Sequence, residues 1–238
     1  KSRQADWTAV PARWPGESQD VMAATTQADA RASSNLQPWR LEQGRIATRQ
    51  HETEKGIETD PSFSKNYYNA ARFYYLTTDK VWALLYGEIF INMEPLSSKS
   101  PEIKQLLLDG YKKLFSDANL ETSYSEKNPF VKNYLKSMNG QTIIASAGIN
   151  AETLSMIRTR FVLDWYNNKT APSFKLFNYH QQLLREGLFE AYNQWLFGSA
   201  QNLSAFQVWA NMHADEYNAF LNFQKGRIFK ITGKEYYH

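Results

Sequence analysis

Four histidines and the acidic residues are the only side chains that could support metal or acid–base chemistry, because the chain has no cysteine. His180 lies three residues from Phe177 and four from Leu184, and His213 lies four from Trp209. Both histidines therefore fall on apolar faces of predicted helices, where a hydrogen-bonded core or boundary histidine is more common than a metal ligand. The sequence predicts no metal ligand.

Two carboxylates have spacings that invite a catalytic interpretation. Glu190 stands among aromatic residues and is the best candidate for a buried acid with a raised pKa, although a structural carboxylate bonded to an amide or to Arg185 is the alternative. Glu235 and His238 have the three-residue spacing of di-iron bundles, but the motif has no second copy. Phosphate-binding glycine loops, nucleophile elbows and metalloprotease helices are absent from the sequence. We therefore predict no catalytic residue, no cofactor and a non-enzymatic protein.

Composition sets the class of protein. Among 238 residues, 27 Lys and Arg face 24 Asp and Glu, and aromatic residues make up 15%. This predicts a packed globular protein, and the nearly balanced charge argues against nucleic acid as a partner. No apolar run of about 18 residues occurs, so no transmembrane segment is predicted. The composition is compatible with export and favours a periplasmic or cell-envelope location, while a cytoplasmic one stays open; the oligomeric state is not predicted.

The predicted domain organisation separates a short arm from a helical body. Residues 1–35 contain eight Ala but no Ile, Leu, Phe or Tyr, so this segment is expected to be an extended arm held by Trp7 and Trp14. Residues 36–238 are expected to form a single α-helical domain, with a repeat-like part at 36–118 and a C-terminal helical part at 119–238. Helix starts are predicted at Asn128-Pro129 and Asn150, and one long helix is predicted over residues 203–224. The predicted class is all-α.

One internal segment has a specific pattern. In Ser64–Pro95, counted from Ser64 as position 1, aromatic residues occupy positions 4 and 11, small residues positions 8 and 20, and proline position 32. This segment resembles a tetratricopeptide repeat. The resemblance implies a stack of antiparallel helical hairpins, in which Ala71 and Ala83 let two helices approach closely. Gly87 and Phe90 depart from the pattern, which usually has an aromatic residue and an alanine there.

The same resemblance implies a binding face. The first helix of a tetratricopeptide repeat lines a groove through positions 2, 5, 6 and 9, which correspond here to Lys65, Tyr68, Asn69 and Arg72. Two cations, an amide and a ring suit an acidic peptide, a terminal carboxylate or a polar sugar; an ordinary solvent-exposed face is the alternative. The predicted function is a non-enzymatic module that binds a protein or peptide, or acts as a scaffold.

Two other functions stay open at this stage. Five aromatic residues crowd one helix, more than a single buried face holds, and this favours a glycan-binding accessory protein of the bacterial cell envelope as an alternative. The C-terminal half also resembles exported proteins of Bacteroides-like bacteria. A helical glycan-cleaving enzyme is the third possibility. The five aromatic residues are Tyr67, Tyr68, Phe73, Tyr74 and Tyr75.

Overall fold

The computed structural model describes residues 44–77, 79–116, 120, 128–168, 171–227, 229–233 and 235. The chain divides into two units, Lys1–Thr48 and Arg49–His238. Of the first unit, residues 44–48 are described and are helical. The arm predicted at 1–35, with Trp7 and Trp14, lies outside the described residues.

The described residues are mostly helical and contain no strand, which confirms the all-α class. No described helix is long and apolar enough to cross a membrane. The helix at Phe189–Asn193 runs directly into a π-helical turn at Gln194–Gly198 and a last turn at Ser199–Gln201. The helices are α1 (49–59), α2 (Ser64–Leu76), α3 (Lys80–Met93), α4 (Ser100–Ser116), α5 (Pro129–Asn139), α6 (Thr142–Ala145), α7 (Ala151–Asn167), α8 (Lys175–Arg185), α9 (Phe189–Asn193), α10 (Leu203–Met212) and α11 (Ala214–Lys225).

Two helix starts predicted from capping residues are confirmed. The Asn128 side chain accepts a hydrogen bond from the Phe130 N–H at 2.9 Å, directly before α5. Asn150 and Thr153 form a reciprocal capping box at the start of α7, with bonds of 2.8 and 3.0 Å. Each cap satisfies backbone donors that the first helical turn leaves unpaired.

Helices α2 and α3 form an antiparallel hairpin. The rings of Tyr68 and Phe90 lie 5.4 Å apart, and a Cβ atom built on Gly87 would lie 3.5 Å from the Cβ of Ala71. Residue numbers therefore rise along α2 while their partners' numbers fall along α3. Ala71 and Ala83 are both fully buried, as the hairpin prediction requires. The residue that faces Ala71 across the seam is Gly87.

The glycine that departs from the repeat pattern lies where α4 packs on α3. A Cβ atom at Gly87 would lie 3.0 Å from Leu107 Cδ2 and 3.3 Å from Ile103 Cγ2. One helical turn further along α4, a Cβ atom at Gly110 would lie 2.8 Å from Leu84 Cδ2. Each helix thus offers a glycine to a leucine of the other, and this exchange of small and large residues lets the two axes approach closely.

The long helix predicted over residues 203–224 is broken at His213, where the backbone adopts φ −115° and ψ 39°. The aromatic side chains still meet across the break, since the ring centroids of Phe206 and Tyr217 lie 5.7 Å apart. His213 is exposed and stacks on Trp209 with ring centroids 4.6 Å apart. Helix α10 buries none of its residues, although most of them are apolar.

Candidate functional site

A surface groove of about 550 Å³ runs between α1, α2 and α4. Phe73, Tyr75 and Leu76 of α2 and Leu106 of α4 give it an apolar lining. Leu76 is 85% exposed, whereas Leu106 is almost completely buried. An exposed leucine beside partly buried rings is the kind of surface that a partner's apolar side chain covers.

The groove is lined by only two of the four predicted ligand-binding residues. Asn69 and Arg72 line it, while Lys65 is exposed but is not among the lining residues. Tyr68 is buried, and its hydroxyl donates a hydrogen bond to Glu102 Oε2 at 2.9 Å. The four residues therefore do not present one continuous face to a ligand.

The charge of the groove comes from three helices. Arg72 Nε lies 3.1 Å from Glu102 Oε1, in an ion pair whose two side chains are about half exposed. Such a pair contributes at most about 1 kcal/mol to stability, but it neutralises the cation that was expected to attract an acidic ligand. The remaining charged residues of the lining are Arg49, Glu52 and Asp109. Three carboxylates and two guanidinium groups leave the groove lining with a net negative charge.

A spacing of 34 residues relates the predicted face of α2 to the α4 residues of the groove that were not predicted from α2 alone. Glu102 lies 34 residues after Tyr68, and Leu106 lies 34 residues after Arg72, which is the length of a tetratricopeptide repeat. Both α4 residues line the groove, and the Tyr68–Glu102 hydrogen bond joins α2 to α4 at this spacing. Counting 34 residues on from the predicted face of α2 therefore reaches the second wall of the groove.

A second polar site lies in the core, where α3, α7, α8 and α9 meet. Arg158 forms an ion pair with Glu88 and a hydrogen bond with Asn193. Glu88 Oε1 also lies 2.7 Å from His180 Nε2 and accepts a hydrogen bond from the Tyr192 hydroxyl at 2.6 Å. We call these five residues the buried network. Each of them is at most 3% exposed.

The protonation of the buried network follows from its geometry. Burial alone would raise the pKa of Glu88, but the charge of Arg158 and the hydrogen bonds of its neighbours lower that pKa to about 2. Burial lowers the pKa of His180, so its imidazole is neutral at pH 7. Because the Glu88 anion lies 2.7 Å from Nε2, we infer that the neutral ring carries its proton on that nitrogen and donates it to Glu88. Arg158 Nη2, 3.2 Å from the same nitrogen, then makes no hydrogen bond to the ring. A carboxylate, a guanidinium and a neutral histidine thus share one closed site.

This network is a structural element and offers no surface to a ligand. A substrate could reach Glu88 only by displacing packed core side chains, including the Phe197 ring, whose centroid lies 5.2 Å from the Arg158 guanidinium carbon. The expectation of a hydrogen-bonded core histidine is confirmed for His180. Glu88 gave no sequence signal beyond being the one acidic residue in the apolar helix α3.

The carboxylates singled out from the sequence do not form acid–base sites. Glu190 is exposed and lines a shallow pocket together with Arg160, so the expectation of a buried acid is wrong. Glu235 accepts a hydrogen bond from Lys175 Nζ at 2.8 Å, and His238 lies outside the described residues.

The described residues contain no group of three or more His, Cys, Asp or Glu that could hold a metal ion. The lining of the groove combines apolar and charged side chains from three helices. No protein-family model, curated protein or solved structure matches this chain.

Proposed function

We propose that this protein is a non-enzymatic, tetratricopeptide-like module whose groove between α1, α2 and α4 binds a short peptide segment of a partner protein. The observation that carries the proposal is Leu76, which is 85% exposed beside Phe73 and Tyr75 and between charged rims. A leucine or aromatic side chain of the ligand buries this apolar floor, and the hydrophobic effect supplies the affinity. An envelope location belongs to the same proposal.

The pairing of α2 with α4 supports the tetratricopeptide-like part of the proposal. In such repeats the first helices of successive hairpins stand side by side and line one groove. Here α2 and α4 are joined by the Arg72–Glu102 ion pair and the Tyr68–Glu102 hydrogen bond, and both helices line the groove. Positions 34 residues apart therefore serve the same surface.

The charge of the groove defines the chemistry of the ligand. Arg72 is already paired with Glu102, and the other cation of the lining, Arg49, is outnumbered by Glu52 and Asp109, which have no ion-pair partner among the lining residues. Asp109 pairs instead with the exposed Lys112 outside the groove, at 3.2 Å, in a solvent-screened contact that a ligand cation can replace. A ligand that carries lysine or arginine beside an apolar residue satisfies both the carboxylates and the exposed leucine. The proposed ligand is therefore a basic, amphipathic peptide, and it differs from the acidic ligand expected from α2 alone.

An array of basic-amphipathic and acidic-amphipathic peptides of equal length tests this proposal. The full chain should bind the basic set, and Leu76→Asp should weaken that binding at least tenfold, about 1.4 kcal/mol. Ile143→Asp is the matched control, because Ile143 is also 85% exposed and lies outside the groove. Preference for the acidic set, or equal binding by both variants, would contradict the proposal.

The alternative function, glycan binding, uses the two rings of the same groove. Phe73 and Tyr75 are partly exposed and line it, so either ring could stack on a sugar. A glycan array on the same protein separates the two functions. Binding of neutral glycans that Tyr75→Ala abolishes, without binding of basic peptides, would replace the peptide proposal.

A further inference from the structure

Lys104 of α4 is a cation held inside the protein without a carboxylate partner. The residue is 9% exposed, and its ammonium group donates a hydrogen bond to the Trp195 carbonyl at 2.7 Å. The same group lies 3.9 Å from the centroid of the Trp195 ring. No carboxylate of the described residues lies within ion-pair distance of it. Burial lowers the pKa of Lys104 to about 8, which reflects the cost of keeping this charge away from water.

Lys104 is one of the residues that line a pocket of about 460 Å³ between the start of α4 and the start of α10. Leu96, Ala200 and Leu203 supply apolar walls, and the Ser199 hydroxyl is a further polar group there. Helical side chains slant toward the N-terminus of their helix, so Lys104 extends toward the first turn of α4, where the helix dipole adds partial positive charge. The Trp195 carbonyl that fixes the amine comes from the π-helical turn, and such turns are frequent at functional sites.

We propose that this pocket binds a monocarboxylate carried on an apolar body, with the Lys104 ammonium as its ion-pair partner. The pocket offers one cationic side chain among its lining residues, which matches one carboxylate rather than a phosphate dianion. Its apolar walls match an aliphatic body, and Leu96 and Leu203 at its mouth are 97% and 58% exposed. A free aliphatic acid and the last residue of an apolar peptide share this chemistry.

The site is separate from the groove of the proposed function, because the two share no lining residue. The two proposals therefore fail independently.

Calorimetric titration of the full chain with octanoate tests the proposal, and N-acetyl-leucine is the second arm that represents a peptide C-terminus. Octanoate should bind, and octanol, with the same body but no charge, should bind at least tenfold more weakly. Lys104→Met should lose at least tenfold in octanoate affinity, while Lys112→Met, an exposed lysine on the same helix, should match the wild type. Tighter binding of N-acetyl-leucine than of octanoate would identify the ligand as a peptide C-terminus. Tighter binding of octanoate would identify it as a free aliphatic acid.

A spectroscopic measurement localises the binding. With ¹³C-labelled lysine, the Cε signal that Lys104→Met removes should shift on addition of octanoate. Methionine fills the space of the lysine side chain up to Cε and removes a buried charge, so this variant is expected to fold, and circular dichroism checks that it does. Equal binding of octanoate and octanol, equal affinity in Lys104→Met, an unmoved Cε signal, or no binding of either acid would overturn the proposal.

Discussion

Removing either charge of the Glu88–Arg158 pair should destabilise the protein at least as much as removing both. Glu88 and Arg158 are 2% and 1% exposed, so Glu88→Gln leaves a guanidinium buried without a counterion, and Arg158→Met leaves a buried carboxylate. Losing one partner of a buried pair costs about 3–5 kcal/mol. In the double variant no unpaired charge remains, and the amide that replaces the Glu88 carboxylate can still hydrogen-bond to His180 and Tyr192. The double variant should therefore be no less stable than either single variant.

Urea unfolding of the full chain measures these differences. With a slope of about 1–3 kcal/mol per molar urea, a loss of 3 kcal/mol lowers the midpoint by about 1–3 M. The double-mutant cycle should give a coupling energy of about 3 kcal/mol or more, above the usual range for exposed pairs. Arg160→Met, an exposed cation two residues along α7, is the control and should stay within about 0.5 kcal/mol of the wild type. Additive effects, or single-variant losses below about 1 kcal/mol, would refute a structural role for the buried network.

Two further predictions concern pH and packing. The pKa of His180 is lowered by burial and that of Glu88 is lowered to about 2, so both groups stabilise the fold fully above pH 6.5. The free energy of unfolding should fall as the pH drops below 6.5. The contribution of Glu88 should be lost between pH 4.5, the ordinary pKa of a glutamate, and about pH 2. Urea midpoints that stay constant from pH 7 to pH 3 would contradict this. Gly87→Leu should lower the free energy of unfolding by about 1–3 kcal/mol, because the new side chain would clash with Leu107. Gly44→Ala should raise it by up to about 1 kcal/mol, because a Cβ atom there would have no neighbour within 4 Å. Thermal unfolding compares the two glycine variants, and an equal change in both would contradict the close approach of α3 and α4.

Local signals predicted the helices well, because their causes lie within a few residues. Asn128 and Asn150 cap α5 and α7 through bonds that span two or three positions, so the sequence alone identifies those starts. The break at His213 was missed, since the apolar periodicity continues through it and the Phe206 and Tyr217 rings still meet across it. Periodicity reports which face is apolar, and it does not report whether the backbone stays helical.

The buried network was beyond sequence reasoning for a different reason. Glu88 meets Arg158, His180 and Tyr192 at separations of 70, 92 and 104 residues, and nothing in the local pattern of α3 indicates such partners. His180 could be assigned to the core from its apolar neighbours alone. The partner that fixes its tautomer could not, because that partner is set by the packing of four helices.

The groove shows why a binding face cannot be inferred from one helix. Lys65 and Arg72 of α2 suggested a cationic surface, yet α4 places Glu102 against Arg72 at 3.1 Å, and Glu52 and Asp109 add two more carboxylates. The sign of the net charge of the groove therefore depends on the residues that α1 and α4 contribute, and not on α2 alone. Charge reversal of the latter two carboxylates, Glu52→Lys with Asp109→Lys, should move the peptide preference from basic to acidic while Leu76 still supplies the apolar contact. If the double variant keeps its preference for basic peptides, the carboxylates do not select the ligand, and the apolar floor alone would account for binding.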